Sequence, residues 1–166
     1  MKKSLISLVL ALTVITPVIL ASCDTETVSY STDISVADLA SAADTALADS
    51  ETLTAVPDDY IKGMMKIDVS AFEDYTVKIR ASGTNIDEYG IFKAPSDEAV
   101  KSVKEIVSGY LDMRLDAWME EYMPEEKPKL ENATIKTMGR YVVYCILSED
   151  AKDTVFTTVD NMLLGK

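Results

Sequence analysis

Two pairs of predicted β-strands, with a long amphipathic helix between the pairs, indicate an α+β fold for residues 34–166. The first pair lies on either side of a turn-forming cluster at residues 82–85 (SGTN), and the second lies on either side of Gly139-Arg140. Strands joined by short turns pair in antiparallel order, and such a sheet needs helices over only one face. We therefore expect a four-stranded antiparallel sheet of two hairpins, with the long helix packed on one face and further helices at the N- and C-terminal ends.

Two helices are predicted before the first strand. Ser35 is a suitable N-cap for the first of them, and Asp38 follows three residues later, as in a capping box. Apolar residues then recur at helical spacing: Val36, Leu39, Ala40, Ala43 and Leu47. Pro57 begins a second, shorter helix that we expect to continue through Met65.

The four strands are recognised by apolar residues and by the turns between them. Over residues 72–81, apolar residues alternate with charged or polar ones, which is typical of a strand with one buried face and one face in water. The second strand is predicted over residues 86–94. The second hairpin is predicted from strands over residues 130–138 and 141–148.

The long helix has the strongest helical pattern in the chain. Ser96 is the expected N-cap, and Asp97 and Glu98 follow it at the positive end of the helix dipole. The helix is expected to run to about Tyr122, because Pro124 cannot continue it. Its apolar stripe is broad: Ala99, Val103, Ile106, Tyr110, Met113 and Ala117. A final helix is predicted to begin at residues 149–150.

The N-terminal residues have the three-part layout of a secretory signal peptide. A basic start, Met1-Lys2-Lys3, precedes an uncharged and mostly apolar run at residues 5–20, and small residues follow it. A helix that spans a membrane needs about 20 apolar residues. Because this run is shorter and Pro17 interrupts it, we expect residues 1–22 to be a cleaved signal peptide.

The end of this segment, Leu20-Ala21-Ser22-Cys23, resembles the lipobox of bacterial lipoproteins. In that family the cysteine sulfur receives a diacylglycerol, and the peptide is cut just before the cysteine. The resemblance implies cleavage between Ser22 and Cys23 and attachment to the membrane through lipid on Cys23. Two or more acyl chains hold a protein stably on a membrane. Residues 23–33 are polar and rich in Ser and Thr, so we expect them to be a tether at the extracytoplasmic face of the cell membrane.

Three short motifs point to a known family. Residues 87–94 (DEYGIFKA), followed by the long helix, Tyr122-Met123-Pro124 and residues 138–143 (MGRYVV) resemble the bacterial lipoprotein family known as domain of unknown function 4358. The likeness covers about residues 34–150. It implies a lipid-anchored envelope protein, and it brings no activity and no catalytic residues.

Composition excludes several classes of function. The chain has no histidine, so Ser-His-Asp and Cys-His arrangements are impossible. Beside a lipidated Cys23 only Cys145 remains, in an apolar strand where a buried hydrophobe is the expected role, so we predict no metal and no cofactor. The net charge of −12 argues against nucleic acid as a partner. Adjacent acids leave one enzymatic alternative, a small envelope hydrolase that uses paired carboxylates.

Basic and aromatic residues suggest a binding face on the predicted sheet: Lys78, Arg80, Lys136, Arg140 and Tyr144. If the side of Tyr144 is outward, these residues share an open face that suits binding. The alternative is a solvated face with ordinary cross-strand charge pairs. We expect a binding or accessory module without catalytic activity, which holds an envelope protein or a cell-wall ligand. A structural subunit whose apolar patch is covered by a partner is a further alternative.

Overall fold

The computed structural model describes residues 29–47 and 53–166. These residues form a five-stranded antiparallel sheet in the order β1-β2-β3-β5-β4. The strands are β1 Leu53–Ala55, β2 Asp74–Arg80, β3 Glu88–Lys93, β4 Thr134–Met138 and β5 Tyr141–Ile146. The helices are α1 Val36–Ala46, α2 Asp58–Gly63, α3 Val100–Asp116, α4 Lys127–Glu131 and α5 Glu149–Leu163.

The N-terminal predictions fall largely outside the described residues. The signal peptide, the cleavage position at Ser22 and Cys23, and the first part of the tether all lie there. Within residues 29–47 and 53–166, no helix is long and apolar enough to cross a membrane. Tyr30, in the predicted tether, donates a hydrogen bond to Asp160 Oδ1 at 2.8 Å and packs against Gly139. This end of the tether therefore contacts the domain.

The α+β class is confirmed, but the predicted number of strands is wrong. Both hairpins form as expected, through the pairs β2–β3 and β4–β5. A fifth strand, β1, pairs with β2 and places Ala55 opposite Lys78. Three residues are too few to show an alternating pattern, so β1 has no periodic signal in the sequence.

Helices cover both faces of the sheet, which corrects the expectation of one open face. Helices α1 and α5 cover the face that carries Tyr89, Val143 and Cys145, which we call the α1–α5 face. Helices α2 and α3 cover the opposite face, the α3 face, which carries Phe92 and Tyr144. Every residue of β5 is buried. A strand that is apolar at consecutive positions is typical of a sheet with two covered faces.

Local signals position α1 as predicted. Ser35 is its N-cap, and the Ser35 hydroxyl accepts a hydrogen bond from the Asp38 backbone N–H at 3.1 Å. Asp74 Oδ2 accepts a second bond, from the Val36 N–H, at 2.9 Å. Because Asp74 begins β2, this bond ties the start of the helix to the sheet.

Helix α3 is shorter than predicted at both ends. Residues 96–99 form a turn in which the Ala99 N–H donates to the Ser96 carbonyl at 3.2 Å, so Ser96 does not cap the helix. The helix ends at Asp116, and the chain then turns, with the Tyr122 N–H donating to the Met119 carbonyl at 2.9 Å. The predicted third strand also begins later, at Thr134, because Leu130 belongs to α4. The early end of α3 leaves room for a cleft.

Candidate functional site

The five residues of the predicted binding face do not form one surface. Strand register places Lys78 and Lys136 on the α1–α5 face, whereas Tyr144 lies on the α3 face and is fully buried. Arg80 is the last residue of β2, and its side chain reaches Asn85 and Asp87 beyond the end of the strand. Arg140 lies in the turn between β4 and β5. The prediction that they share an open face is wrong, because both faces are covered and the strand register separates the residues.

Each cation of that set has a nearby partner. Lys78 forms an ion pair with Asp44, and Arg140 forms one with Glu73. Arg80 lies 3.8 Å from the Asp87 carboxylate. Lys136 Nζ lies 4.4 Å from the centroid of the Phe156 ring, within cation–π distance. These contacts hold helices and turns against the sheet.

A different site stands out on the α3 face, where the chain leaves α3. A cleft of about 500 Å³ opens between α2, the C-terminal half of α3, the turn after α3 and the ends of β2 and β3. Its volume is within the range of small-ligand sites. The side chains that define its floor and rim include Tyr60, Met64, Asp87, Glu88, Tyr110, Met113, Arg114, Trp118, Met119 and Tyr122.

The floor of the cleft is a buried carboxylate, Glu88, with a complete set of partners. Glu88 is 2% exposed. Its Oε1 accepts hydrogen bonds from the hydroxyls of Tyr110, at 2.7 Å, and Tyr144. Its Oε2 forms an ion pair with Nη1 of Arg114, which also donates to the Tyr110 hydroxyl at 3.1 Å. Because a buried charge is tolerated only when it is paired and hydrogen-bonded, these four side chains form one interdependent cluster.

Gly90 lets Tyr144 reach this cluster. The two residues face each other across β3 and β5. A Cβ at Gly90 would lie 2.3 Å from Cε1 of Tyr144, so only glycine leaves room for the ring. The ring also packs on Tyr110, with centroids 5.8 Å apart at 69°, the edge-to-face geometry that aromatic pairs prefer.

The surroundings keep these groups in one protonation state. Burial and the charge of Glu88 raise the pKa of Tyr110 and Tyr144, so both hydroxyls remain donors. Burial alone would lower the pKa of Arg114, but the charge of Glu88 and the interactions with Tyr110 and Tyr144 together outweigh burial, so the pKa is raised. Tyr110, Tyr144 and Arg114 therefore keep their protons over the physiological pH range.

The second carboxylate of the cleft, Asp87, is also paired. It accepts a hydrogen bond from Lys129 Nζ at 2.8 Å, and Lys129 bonds Glu126 at the same distance. Asp87 immediately precedes β3, which begins at Glu88, and the two carboxylates have different partners. Of the seven pairs of adjacent acidic residues in the chain, all within the described residues, only Asp87-Glu88 lines the cleft.

The rim of the cleft is apolar and exposed. Three large apolar side chains of the described residues are more than half exposed: Met64 at 67%, Met119 at 66% and Tyr122 at 53%. All three line the cleft. Trp118 lies beside them, with its ring centroid 6.5 Å from that of Tyr122. Exposed apolar side chains that cluster in one place mark a binding site more often than scattered ones do.

The described residues hold no group of three or more metal-ligating side chains. Cys145 is a free and buried thiol on the α1–α5 face, and burial raises its pKa. It packs as a small apolar side chain, and it does not line the cleft.

A protein-family model matches the central part of the chain. The model of a domain of unknown function (DUF4358) matches residues 46–147, more than half of the chain. The chain belongs to the DUF4358 family. The DUF4358 match includes the whole cleft, and residues of two motifs that carry the sequence resemblance, Asp87-Glu88 and Tyr122, line it. No curated protein and no solved structure matches the chain.

The sequence contained partial signals for this site. Tyr110 and Arg114 are four residues apart on α3, a spacing that places them on the same side of a helix. Glu88 begins a strand that is otherwise apolar up to Lys93. A charge at such a position indicates a buried partner, but the partner is 26 residues away in Arg114, so periodicity alone does not identify it.

Proposed function

We propose that this DUF4358 protein is a lipid-anchored, extracytoplasmic binding module and that the cleft on the α3 face is its ligand site. One observation carries the proposal. The most exposed large apolar side chains of the described residues, Met64, Met119 and Tyr122, surround a cleft with a buried polar floor. An apolar wall with a few fixed polar groups is the usual composition of a small-molecule site.

The anchor is supported by the sequence. The signal-like N-terminus and the lipobox-like Leu20-Ala21-Ser22-Cys23 both favour lipid attachment at Cys23. The tether then holds the domain near the outer surface of the membrane. An anchored domain meets envelope ligands without needing a membrane-spanning helix of its own.

Binding has more support than catalysis by carboxylates. A carboxylate hydrolase needs two acids that converge, with one of them able to give or take a proton. Glu88 is paired with Arg114 and Asp87 is paired with Lys129, so each carboxylate is already engaged with a cation of the protein. We therefore assign the cleft a binding role.

Ligand binding is tested with the full-length protein in lipid nanodiscs. We expect a thermal-shift screen of small envelope metabolites and soluble wall fragments to return ligands that stabilise the protein. The double variant Met64→Glu, Met119→Glu should lose that stabilisation, because it places two charges on the apolar rim. Ser102→Glu adds a charge at an exposed position of α3 outside the cleft and should keep it. Equal responses of both variants would contradict the proposed site.

The anchor is tested separately. Cells that express the full-length protein are labelled with a palmitate analogue, and the purified protein is analysed by mass spectrometry. We expect a diacylglyceryl-modified Cys23 at the mature N-terminus and recovery in the membrane fraction. Cys23→Ala should be unlabelled and should leave that fraction. A labelled Cys23→Ala protein would refute attachment at this cysteine.

A further inference from the structure

Side-chain donors and acceptors in the cleft are not balanced. Both carboxylates that line it already have cationic partners: Glu88 has Arg114, and Asp87 has Lys129. Glu88 Oε1 accepts two further hydrogen bonds, from tyrosine hydroxyls. The carboxylates of the cleft are therefore engaged within the protein.

Several donors of the cleft are left without a partner among the described residues. Arg114 makes its hydrogen bonds through Nη1 alone, which leaves the N–H groups of Nε and Nη2 unused, and its side chain is 24% exposed. The indole Nε1 of Trp118 is buried and has no hydrogen-bond partner. Buried polar groups are nearly always satisfied, so an unpartnered indole N–H beside a cleft indicates a missing acceptor.

The chemistry of the remaining wall is apolar and adaptable. Met64, Met113 and Met119 contribute thioether side chains, and Trp118 and Tyr122 contribute aromatic rings. Thioethers adapt to irregular apolar shapes and contact aromatic rings favourably. The cleft, at about 500 Å³, suits a small molecule rather than a polymer.

We infer that the cleft binds a small acid with an apolar or aromatic body and a carboxylate, and that Arg114 and Trp118 hold the carboxylate. The inference rests on the proposed function, since it names the ligand class of the same site. A guanidinium presents a planar fork that matches a carboxylate, and Nε and Nη2 form such a fork in Arg114. The apolar body lies against the methionines of the rim. The carboxylate supplies acceptors to donors that the protein leaves unused.

The local charge permits an anion although the chain is acidic. The chain has a net charge of −12. Two arginines, Arg80 and Arg114, line the cleft together with two carboxylates, so their charges cancel there. An amine would find no unpaired carboxylate in the cleft, whereas a carboxylate finds the free edge of Arg114.

The test uses three compounds with the same body: 3-phenylpropionate, 3-phenylpropionamide and 3-phenylpropylamine. Trp118 is the only tryptophan of the chain, so its fluorescence reports on the cleft directly. We expect 3-phenylpropionate to change the emission of the full-length protein saturably, with an affinity at least about ten-fold higher than that of the amide or the amine. Equal or tighter binding of the amide or the amine would overturn the inference, and so would the absence of saturable binding by the acid.

Two variants and a control make the test specific. Arg114→Lys keeps a cation beside Glu88 but removes the fork, and we expect it to weaken binding of the acid about ten-fold and to leave binding of the amide unchanged. Trp118→Phe, followed by calorimetry, should also weaken binding of the acid, because it removes the indole N–H. Arg140→Lys changes an arginine outside the cleft and should bind the acid normally. Unchanged affinity in both cleft variants would refute the assignment.

Failure of the inference is distinguishable from failure of the proposed function. If the thermal-shift screen returns ligands without a carboxylate that the charged rim variant no longer binds, the cleft is a ligand site and the inferred class is wrong. If neither the screen nor the three compounds give binding that the rim variant abolishes, both are wrong.

Discussion

Replacement of Gly90 by alanine should destabilise the domain by about 2 kcal/mol, because the added methyl group meets the ring of Tyr144. The new Cβ would lie 2.3 Å from Tyr144 Cε1 and 3.0 Å from Phe92 Cε2. Gly90 is in β3, which is hydrogen-bonded to β2 on one side and to β5 on the other, so its backbone has little freedom to retreat. Tyr144 is fully buried and cannot swing into solvent.

The expected loss of stability in Gly90→Ala combines two destabilising contributions with one that partly offsets them. Overpacking of a close-packed core costs roughly 1–3 kcal/mol. Displacement of the Tyr144 ring also weakens its hydrogen bond to Glu88, which adds about 1 kcal/mol. The lower entropy of the unfolded alanine chain offsets about 0.4–1 kcal/mol. The net expectation is a loss of about 2 kcal/mol in the free energy of unfolding.

The assay is urea unfolding followed by circular dichroism and by Trp118 fluorescence. Gly109→Ala is a matched control, because Gly109 is exposed on α3 and a Cβ there meets nothing within 4 Å. That control should stabilise the domain by about 0.5–1 kcal/mol, since alanine favours helix more than glycine does.

A double-mutant cycle separates the contact from other effects. In a Tyr144→Ala background the ring is gone, so we expect Gly90→Ala to cost much less, with only the 3.0 Å approach to Phe92 Cε2 remaining. An undiminished cost in that background would show that Tyr144 is not the obstacle. A Gly90→Ala protein as stable as the unaltered one would refute the close approach itself.

Three further outcomes are expected. Glu88→Ala should lower the free energy of unfolding by about 3–5 kcal/mol in urea titrations, because it leaves Arg114 without its buried partner; a loss below about 1 kcal/mol would contradict the buried ion pair. Ser35→Ala should cost about 1 kcal/mol by the same assay, because it removes the N-cap of α1, and Ser102→Ala, at an exposed position of α3, should cost much less. The contribution of the buried tyrosines to the free energy of unfolding should be fully present below about pH 10 and should decrease above it, because the unfolded chain loses phenol protons that the folded chain keeps. The decrease should approach about 1.4 kcal/mol per pH unit for each buried tyrosine. Urea midpoints between pH 8 and 11 measure this fall, and a flat profile would contradict the raised pKa of Tyr89, Tyr110 and Tyr144.

Local sequence signals were sufficient for most of the helices and for both hairpins. The Ser35 cap, the turn at Gly139-Arg140 and the alternation along β2 each depend on residues within a few positions of one another. The end of α3 was predicted too late, because Pro124 is a local stop signal whereas the chain already turns at Ala117. Local patterns therefore predicted which helices and strands are present more accurately than the residues at which they begin and end.

The arrangement of layers was decided by tertiary packing. The apolar residues of β5 are compatible with one covered face or two, and only the packing of α1 and α5 opposite α3 selects two. That choice buries Tyr144 and moves Lys78 and Lys136 to the other face. Alternation along the strands is not enough to predict a binding face, because the prediction also requires knowledge of which sheet faces the helices cover.

The sequence by itself determined the α+β class, the two hairpins, the family resemblance and the absence of histidine chemistry, and lipid attachment at Cys23 stays a prediction from it. Only the tertiary structure decided that β1 joins the sheet, that both faces are covered and that a cleft lies at the end of α3. The physical reason is the range of the interactions. Glu88 meets Arg114, 26 residues away, and Tyr144, 56 residues away. Such contacts form only when strands and helices from distant parts of the chain pack together.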